Sequence, residues 1–227
     1  MLELSREGHI HIITLRDGEN RFRLDSLARW NEALSQVVSE VGDGPGALIV
    51  VGEGKYWSNG IDLTWLSSAD NSDAAQFVPV LNDFLARMLT LPVPTVAALN
   101  GHTFAAGALL ALAMDYRVMR SDRGWFCLPE VDIQIPFHPA MMALLECKLP
   151  PTTLRDVCLR GGRYVADDAL AAGIVDKVCP QEQLLSQAQS LAAPLAEKGR
   201  NIFGRMKSDL YGRVARLLAA DLADQRR

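Results

Sequence analysis

Cysteine is scarce in this chain, with four residues, at 127, 147, 158 and 179, among 227. They show neither the C-x-x-C spacing of a zinc site nor the density of a disulfide scaffold. They read as reduced, mostly buried thiols of a cytosolic protein, and none has an obvious activating base beside it. An excess of one charge is also missing. The formal net charge is −4 and no block of like charges occurs, which argues against nucleic acid as a partner. The closing Arg226-Arg227 is too short for a basic tail. No apolar run is long enough to span a bilayer. The opening Met1-Leu2-Glu3-Leu4 has no secretory or transit character, and the last residues are not S-K-L-like, so a cytoplasmic location is expected. Neither G-x-G-x-x-G nor G-x-x-x-x-G-K-[ST] appears, and no metal-ligand cluster does, so no metal and no nicotinamide cofactor are expected.

What is present is the composition of a globular enzyme, 49% apolar and 22% charged. Residues 2–6 and 9–15 read as a hairpin around Glu7-Gly8. Apolar residues at helical spacing predict a helix over 24–41, capped by Asp25-Ser26 and stopped by Gly42. Ala47–Val51 and Thr95–Leu99 are short apolar runs bounded by turn residues, as buried strands are. A helix is expected over 73–91, and a wholly apolar, buried one over 106–114. Strands are expected at 116–119, 124–128 and 174–179. Helices are expected at 140–148, 152–160, 166–172, 181–198 and 201–222. The first part alternates β and α and the second is mainly helical, which gives one α/β core with a helical C-terminal region.

Three segments carry residues suited to chemistry. Lys55-Tyr56-Trp57-Ser58-Asn59-Gly60-Ile61-Asp62-Leu63 and Leu99-Asn100-Gly101-His102-Thr103-Phe104-Ala105-Ala106-Gly107-Ala108-Leu109 share one design. In each a buried strand leads through a glycine turn into a helix start. Glycine and small residues let backbone amides approach a ligand, and a helix start adds unpaired donors. Two such amides converging on one oxygen would form an oxyanion hole; taken singly, each segment also reads as a tight turn. The third, Leu128-Pro129-Glu130-Val131-Asp132-Ile133, sets an acid among apolar neighbours just after a strand. Such a carboxyl has a raised pKa and can serve as a base near neutral pH. The plainer reading is a partly exposed glutamate at a strand end.

In this order the segments resemble the crotonase (enoyl-CoA hydratase/isomerase) superfamily. The first is similar to its F-S-A-G-A-D-L loop, and the second to N-G-x-A-x-G-G-G-x-x-L-A-x-x-x-D, ending here at Asp115. The third is similar to F-x-x-P-E-x-x-x-G. Ala169–Val178 resembles A-x-x-x-G-L-V-x-x-V. Ser58-Asn59-Gly60, Ala97–His102 and Ser121–Gly124 followed by Glu130–Ile133 look most like the plant-type peroxisomal Δ3,Δ2-enoyl-CoA isomerases.

The resemblance implies a ββα spiral over 1–180 with two roughly perpendicular sheets. It implies a C-terminal helical region, 181–227, that mediates a homotrimer or a hexamer. It makes Ile61 and Ala106 the hole donors and Glu130 the catalytic base. Ala105-Ala106 stands where the family has two glycines, and the hole is expected to survive, since a donor needs glycine only where φ is positive. Ser58, Asn59, Gly60, Asp62, Trp65, Gly107, Leu109 and Phe137 are expected at the substrate, with Leu66, His138 and Pro139 nearby. Lys55 is expected near the CoA phosphates, unless it is simply an exposed lysine. His102 and His138 read as structural, and Asp62 and Asp115 as cap or turn positions. The family's hydratases carry a second glutamate at the position of Leu109. Its absence implies an isomerase moving a double bond from position 3 to position 2 of an acyl-CoA. The alternatives are a hydratase or related acyl-CoA enzyme, and a non-catalytic acyl-CoA binder. No cofactor is implied beyond the CoA of the substrate.

Overall fold

The computed structural model describes residues 2–225, with side chains as far as residue 220. Met1, Arg226 and Arg227, used above for the leader and the basic tail, lie outside the described residues.

Among the described residues, ten strands and ten α-helices follow one another. They are β1 (Leu2–Glu7), β2 (Ile10–Leu15), α1 (Leu24–Val41), β3 (Ala47–Gly52), β4 (Tyr56–Ser58), α2 (Leu63–Ser68) and α3 (Asn71–Leu89). Then follow β5 (Thr95–Leu99), β6 (His102–Phe104), α4 (Ala106–Ala113), β7 (Tyr116–Arg120), β8 (Phe126–Cys127), α5 (Glu130–Ile133) and α6 (Pro139–Lys148). The chain continues through α7 (Pro151–Arg160), β9 (Arg163–Tyr164), α8 (Ala166–Ala171), β10 (Lys177–Cys179), α9 (Leu184–Ala196) and α10 (Arg200–Gln225).

A six-stranded sheet runs β1-β2-β3-β5-β7-β10, parallel except for the β1–β2 hairpin. Its inner strands are covered on both faces, which is why they read as unbroken apolar runs. The register sets Ile12 against Ile49 and Ala98 against Val118. This row buries against Leu184, Ala188, Ala192 and Ala196 of α9. The alternate row, including Ile13, Val50, Ala97 and Met119, faces the main core with α1, α3 and α4. Val214 and Leu218 of α10 join the same core.

A smaller sheet, β4-β6-β8-β9, is parallel between β4, β6 and β8 and closes with an antiparallel β8–β9 pair. Strands β4 and β6 are three residues each. The sequence reading took both segments for glycine turns, since three residues show no period. Other boundaries also shift. The strand expected at 124–128 pairs only at Phe126–Cys127. That expected at 174–179 pairs only at Lys177–Cys179, because the Ile174 and Val175 amides donate back to the Ala169 carbonyl. The N-cap of α1 is Arg23, not Asp25-Ser26; Ser26 Oγ accepts the Arg23 amide at 2.8 Å from inside the first turn. Gly42 ends the helix as expected, with φ 53°.

Candidate active site

The β4–α2 and β6–α4 connections meet. A Cβ built on Gly60 would stand 3.0 Å from the Phe104 carbonyl oxygen and 3.1 Å from the Ala106 nitrogen. One on Gly107 would fall 2.6 Å from the Ser58 carbonyl oxygen. Both glycines are therefore required by close approach, and Gly60 also by its φ of 76°. The loop after β2 fastens the first connection. Ser58 Oγ donates to the Asn20 carbonyl at 2.8 Å, and Asn59 Nδ2 donates to Glu19 at 2.8 Å.

The Ile61 amide is oriented by its neighbours. The Phe22 amide donates to the Gly60 carbonyl at 2.8 Å, and the Asp62 amide donates to the Phe22 carbonyl at 3.0 Å. In such a parallel bridge the residue between them turns its own N–H the other way. Ile61 lines a cavity of about 580 Å³, and so does Ala106, the first residue of α4, whose amide has no intrahelical acceptor. The residue before it, Ala105, has φ 49° and ψ −122°. Position 105, which is not the expected donor, thus takes a glycine conformation while carrying alanine. Ala106, the expected donor, lies inside the helix and has no positive φ.

Glu130 opens the one-turn helix α5 and lines the same cavity. It is not a strand-end residue in solvent. It is buried, and its Oε2 has no hydrogen-bond partner among the described residues. Burial pushes its pKa up to about 7, opposed by a hydrogen bond from its own backbone amide. It is the single acid among the residues that line the cavity. Leu109, fully buried on α4, and half-buried Phe137 form apolar wall.

Other expected residues serve elsewhere. Trp65 packs on Phe77 with ring centroids 5.4 Å apart, and Leu66 joins the core, so neither reaches the cavity. Asp62 caps α2 by accepting the Trp65 amide at 3.0 Å. Lys55 is exposed, its Nζ 5.3 Å from the Tyr56 ring centre, and does not line the cavity. His102 stacks among Tyr56, Phe104 and Trp125 on the small sheet. His138 lines the cavity and caps α6, its Nδ1 accepting the Ala140 amide at 3.3 Å. Asp115 accepts the Thr95 amide at 2.8 Å and pairs with buried Lys207 at 2.9 Å. The sequence reading missed Arg21, Val78 and Met141, which also line the cavity. Their segments are distant in sequence, and only Asn20, in a left-handed turn after Gly18, signals the first.

A family model described as Enoyl-CoA hydratase/isomerase matches residues 5–227. The chain belongs to the enoyl-CoA hydratase/isomerase family. Among curated members, enoyl-CoA delta isomerase 3 of Arabidopsis thaliana is 35% identical, over 96% of this chain and 95% of its own. The peroxisomal enoyl-CoA delta isomerase 2 of the same plant is 34% identical, over 97% and 96%. Carnitinyl-CoA dehydratase of Shigella flexneri is 34% identical, over 86% of this chain and 74% of its own. An enoyl-CoA hydratase/isomerase family protein from Pseudomonas syringae superposes with a TM-score of 0.90 at 26% identity, over 99% and 96%. The fold is therefore the crotonase fold, and the chain is an enzyme of this family. No helix among the described residues is long and apolar enough to cross a membrane.

Proposed function

We propose that this enzyme isomerises 3-enoyl-CoA to trans-2-enoyl-CoA, as in fatty-acid β-oxidation. The observation that carries the reading is the pairing of one buried acid, Glu130, with a leucine, Leu109, on the same cavity. The similarity to plant delta isomerases over nearly the whole chain supports it.

The thioester oxygen accepts hydrogen bonds from the Ile61 and Ala106 amides. Their pull acidifies the C2 proton, which Glu130 takes as the carbonyl becomes an enolate. Glu130, now a neutral acid, returns that proton to C4 as the double bond settles between C2 and C3. No atom is gained or lost, so one carboxyl is enough. Its raised pKa suits it to both halves of the step. Hydration asks for more: a water must be held and deprotonated while carbon is protonated, and Leu109 offers it nothing. No cofactor is needed beyond the CoA of the substrate, which is an acyl-CoA thioester.

We place the chain in the cytoplasm and read 181–227 as the assembly region of a homotrimer or hexamer. Exposed Ile202, Met206 and Leu210 on α10 support that role. Purified protein given 3-enoyl-CoA and 2-enoyl-CoA separately, with products followed by chromatography, tests the catalytic reading. Hydration as fast as isomerisation would overturn it.

A further inference from the structure

Glu130 faces two cavities. The front one holds the two amides. A second, of about 330 Å³, is lined by Glu130, Val131, Gln134 and Cys158 together with the segment Ile135-Pro136-Phe137. That segment and Glu130 belong to both cavities. The shared wall is tied at its first residue by the Ile135 amide, which donates to the Glu130 carbonyl at 3.1 Å. The rim of the back cavity is apolar but uncovered. Of its lining, Val131 is 45% and Ile135 43% exposed; Ile133, which lines the front cavity, is 45% exposed, and Leu159, next to Cys158 on α7, is 70% exposed. Neighbouring exposed apolar side chains of this kind mark a surface that something apolar covers.

We propose that the occupant is the distal part of the substrate's own acyl chain, so that this enzyme takes long-chain acyl-CoAs. The inference rests on the isomerase reading. In that reading C2 and C4 stand at Glu130, so the carbons beyond C4 must leave from this point. Glu130, Ile135, Pro136 and Phe137 wall both cavities, so a shift of this short segment joins them and gives these carbons a path into an apolar groove. Each methylene that leaves water there contributes roughly a fourfold factor to binding. Val131 and Cys158 become the residues that set chain length. Neither touches the front cavity, and Val131 is half-exposed, so a larger side chain can be carried without repacking the core.

The experiment compares kcat/KM for 3-hexenoyl-CoA and 3-hexadecenoyl-CoA, below the micelle concentration, in wild type, Cys158→Trp and Val131→Trp. Wild type is expected to favour the long substrate by about tenfold or more, a few methylenes' worth of burial. Each filling variant is expected to lower the long-to-short ratio by about tenfold, the short substrate serving as its internal reference. A wild type that prefers the short substrate, or variants in which both substrates change alike, would overturn the proposal. So would a variant whose only change is its oligomeric state by light scattering, which would make this face a contact between copies. Competition binding of palmitoyl-CoA against hexanoyl-CoA gives a readout independent of turnover. If neither enoyl-CoA is isomerised but palmitoyl-CoA still binds more tightly, and loses that advantage in Cys158→Trp, the isomerase reading fails and the acyl groove stands.

Discussion

A Cβ on Gly60 would stand 3.1 Å from the amide nitrogen of Ala106. The two connections are thus close enough for one carbonyl oxygen to reach the amides of Ile61 and Ala106, and close enough that a methyl group intrudes. Gly60→Ala must also hold φ at 76°, which costs an L-residue about 1–2 kcal/mol. The expected outcome is a folded protein by circular dichroism whose kcat falls by about 10²–10³, the usual effect of losing a hole donor. Wild-type turnover in a folded Gly60→Ala protein would separate these loops from catalysis.

Ala105 carries the opposite lesson. Its φ of 49° with ψ −122° belongs to glycine's range. Ala105→Gly should therefore raise stability, by about 1 kcal/mol after the added freedom of the unfolded chain is subtracted. Urea unfolding reads this directly as a higher midpoint with an unchanged slope. A lower midpoint would mean that the helix start tolerates alanine without strain.

Much of this site is legible in sequence because its chemistry is local. Gly60 and Gly107 sit where a glycine turn leads into a helix start, and Glu130 just after a strand, which the alternation of apolar runs and turn residues locates; the one-turn helix that Glu130 opens is not legible. What is not legible arises from contacts between distant segments. Trp65 has the look of a ligand-facing aromatic, yet a neighbour twelve positions on, Phe77, claims its ring. Arg21 reaches the cavity from the loop before α1, and Val78 and Met141 from α3 and α6. Strands β4 and β6 exist because the sheet pairs them, not because three residues prefer extension.

As the proposed base, Glu130 would link catalysis to stability. Burial raises its pKa from 4.5 to about 7, so the folded state binds this proton more tightly than the unfolded chain does. Below pH 4.5 both states are protonated and the site costs nothing for charge. As pH rises to 7 the unfolded chain ionises first, and above 7 the native state carries a buried charge worth on the order of 3 kcal/mol. Glu130→Gln should thus stabilise the protein at pH 8 and change little at pH 4, as thermal unfolding at the two values would reveal. The same variant should lose kcat by at least about a hundredfold, with acyl-CoA binding kept. The wild-type kcat/KM should fall on the acid side of about pH 7, where the base is protonated. A flat profile between pH 5 and 8, with a fully active Glu130→Gln protein, would remove Glu130 from the mechanism.

The α10 helix presents Ile202, Met206 and Leu210 at four-residue spacing, 71%, 55% and 65% exposed. This spacing puts them on one face, and large apolar groups left in water mark a contact surface. Replacing all three with serine should convert a trimer or hexamer to monomer without loss of helical signal. Light scattering at micromolar concentration checks it. A wild-type protein that already runs as a monomer would contradict the assembly.

On the proposed isomerase reading, Leu109 decides between two reactions of one oxyanion hole. It is fully buried and forms cavity wall. An ordered water needs two to four polar partners. Glu130 supplies some of these, and a leucine supplies none. The proposed enolate step is indifferent to this, because in it the thioester oxygen meets backbone amides that no side-chain change at 109 removes. Isomerisation of 3-enoyl-CoA should therefore exceed hydration of 2-enoyl-CoA by at least about tenfold in kcat/KM, equivalent to about 1.4 kcal/mol at the transition state. Leu109→Glu adds a second carboxyl where the wall is now dry. If water positioning is what the wild type lacks, the variant should hydrate faster while its isomerase rate holds or falls. Because a new buried acid also costs stability, its rates are to be compared only after circular dichroism shows the same fold. Wild-type hydration equal to or faster than isomerisation would leave the family assignment standing and overturn the isomerase reading.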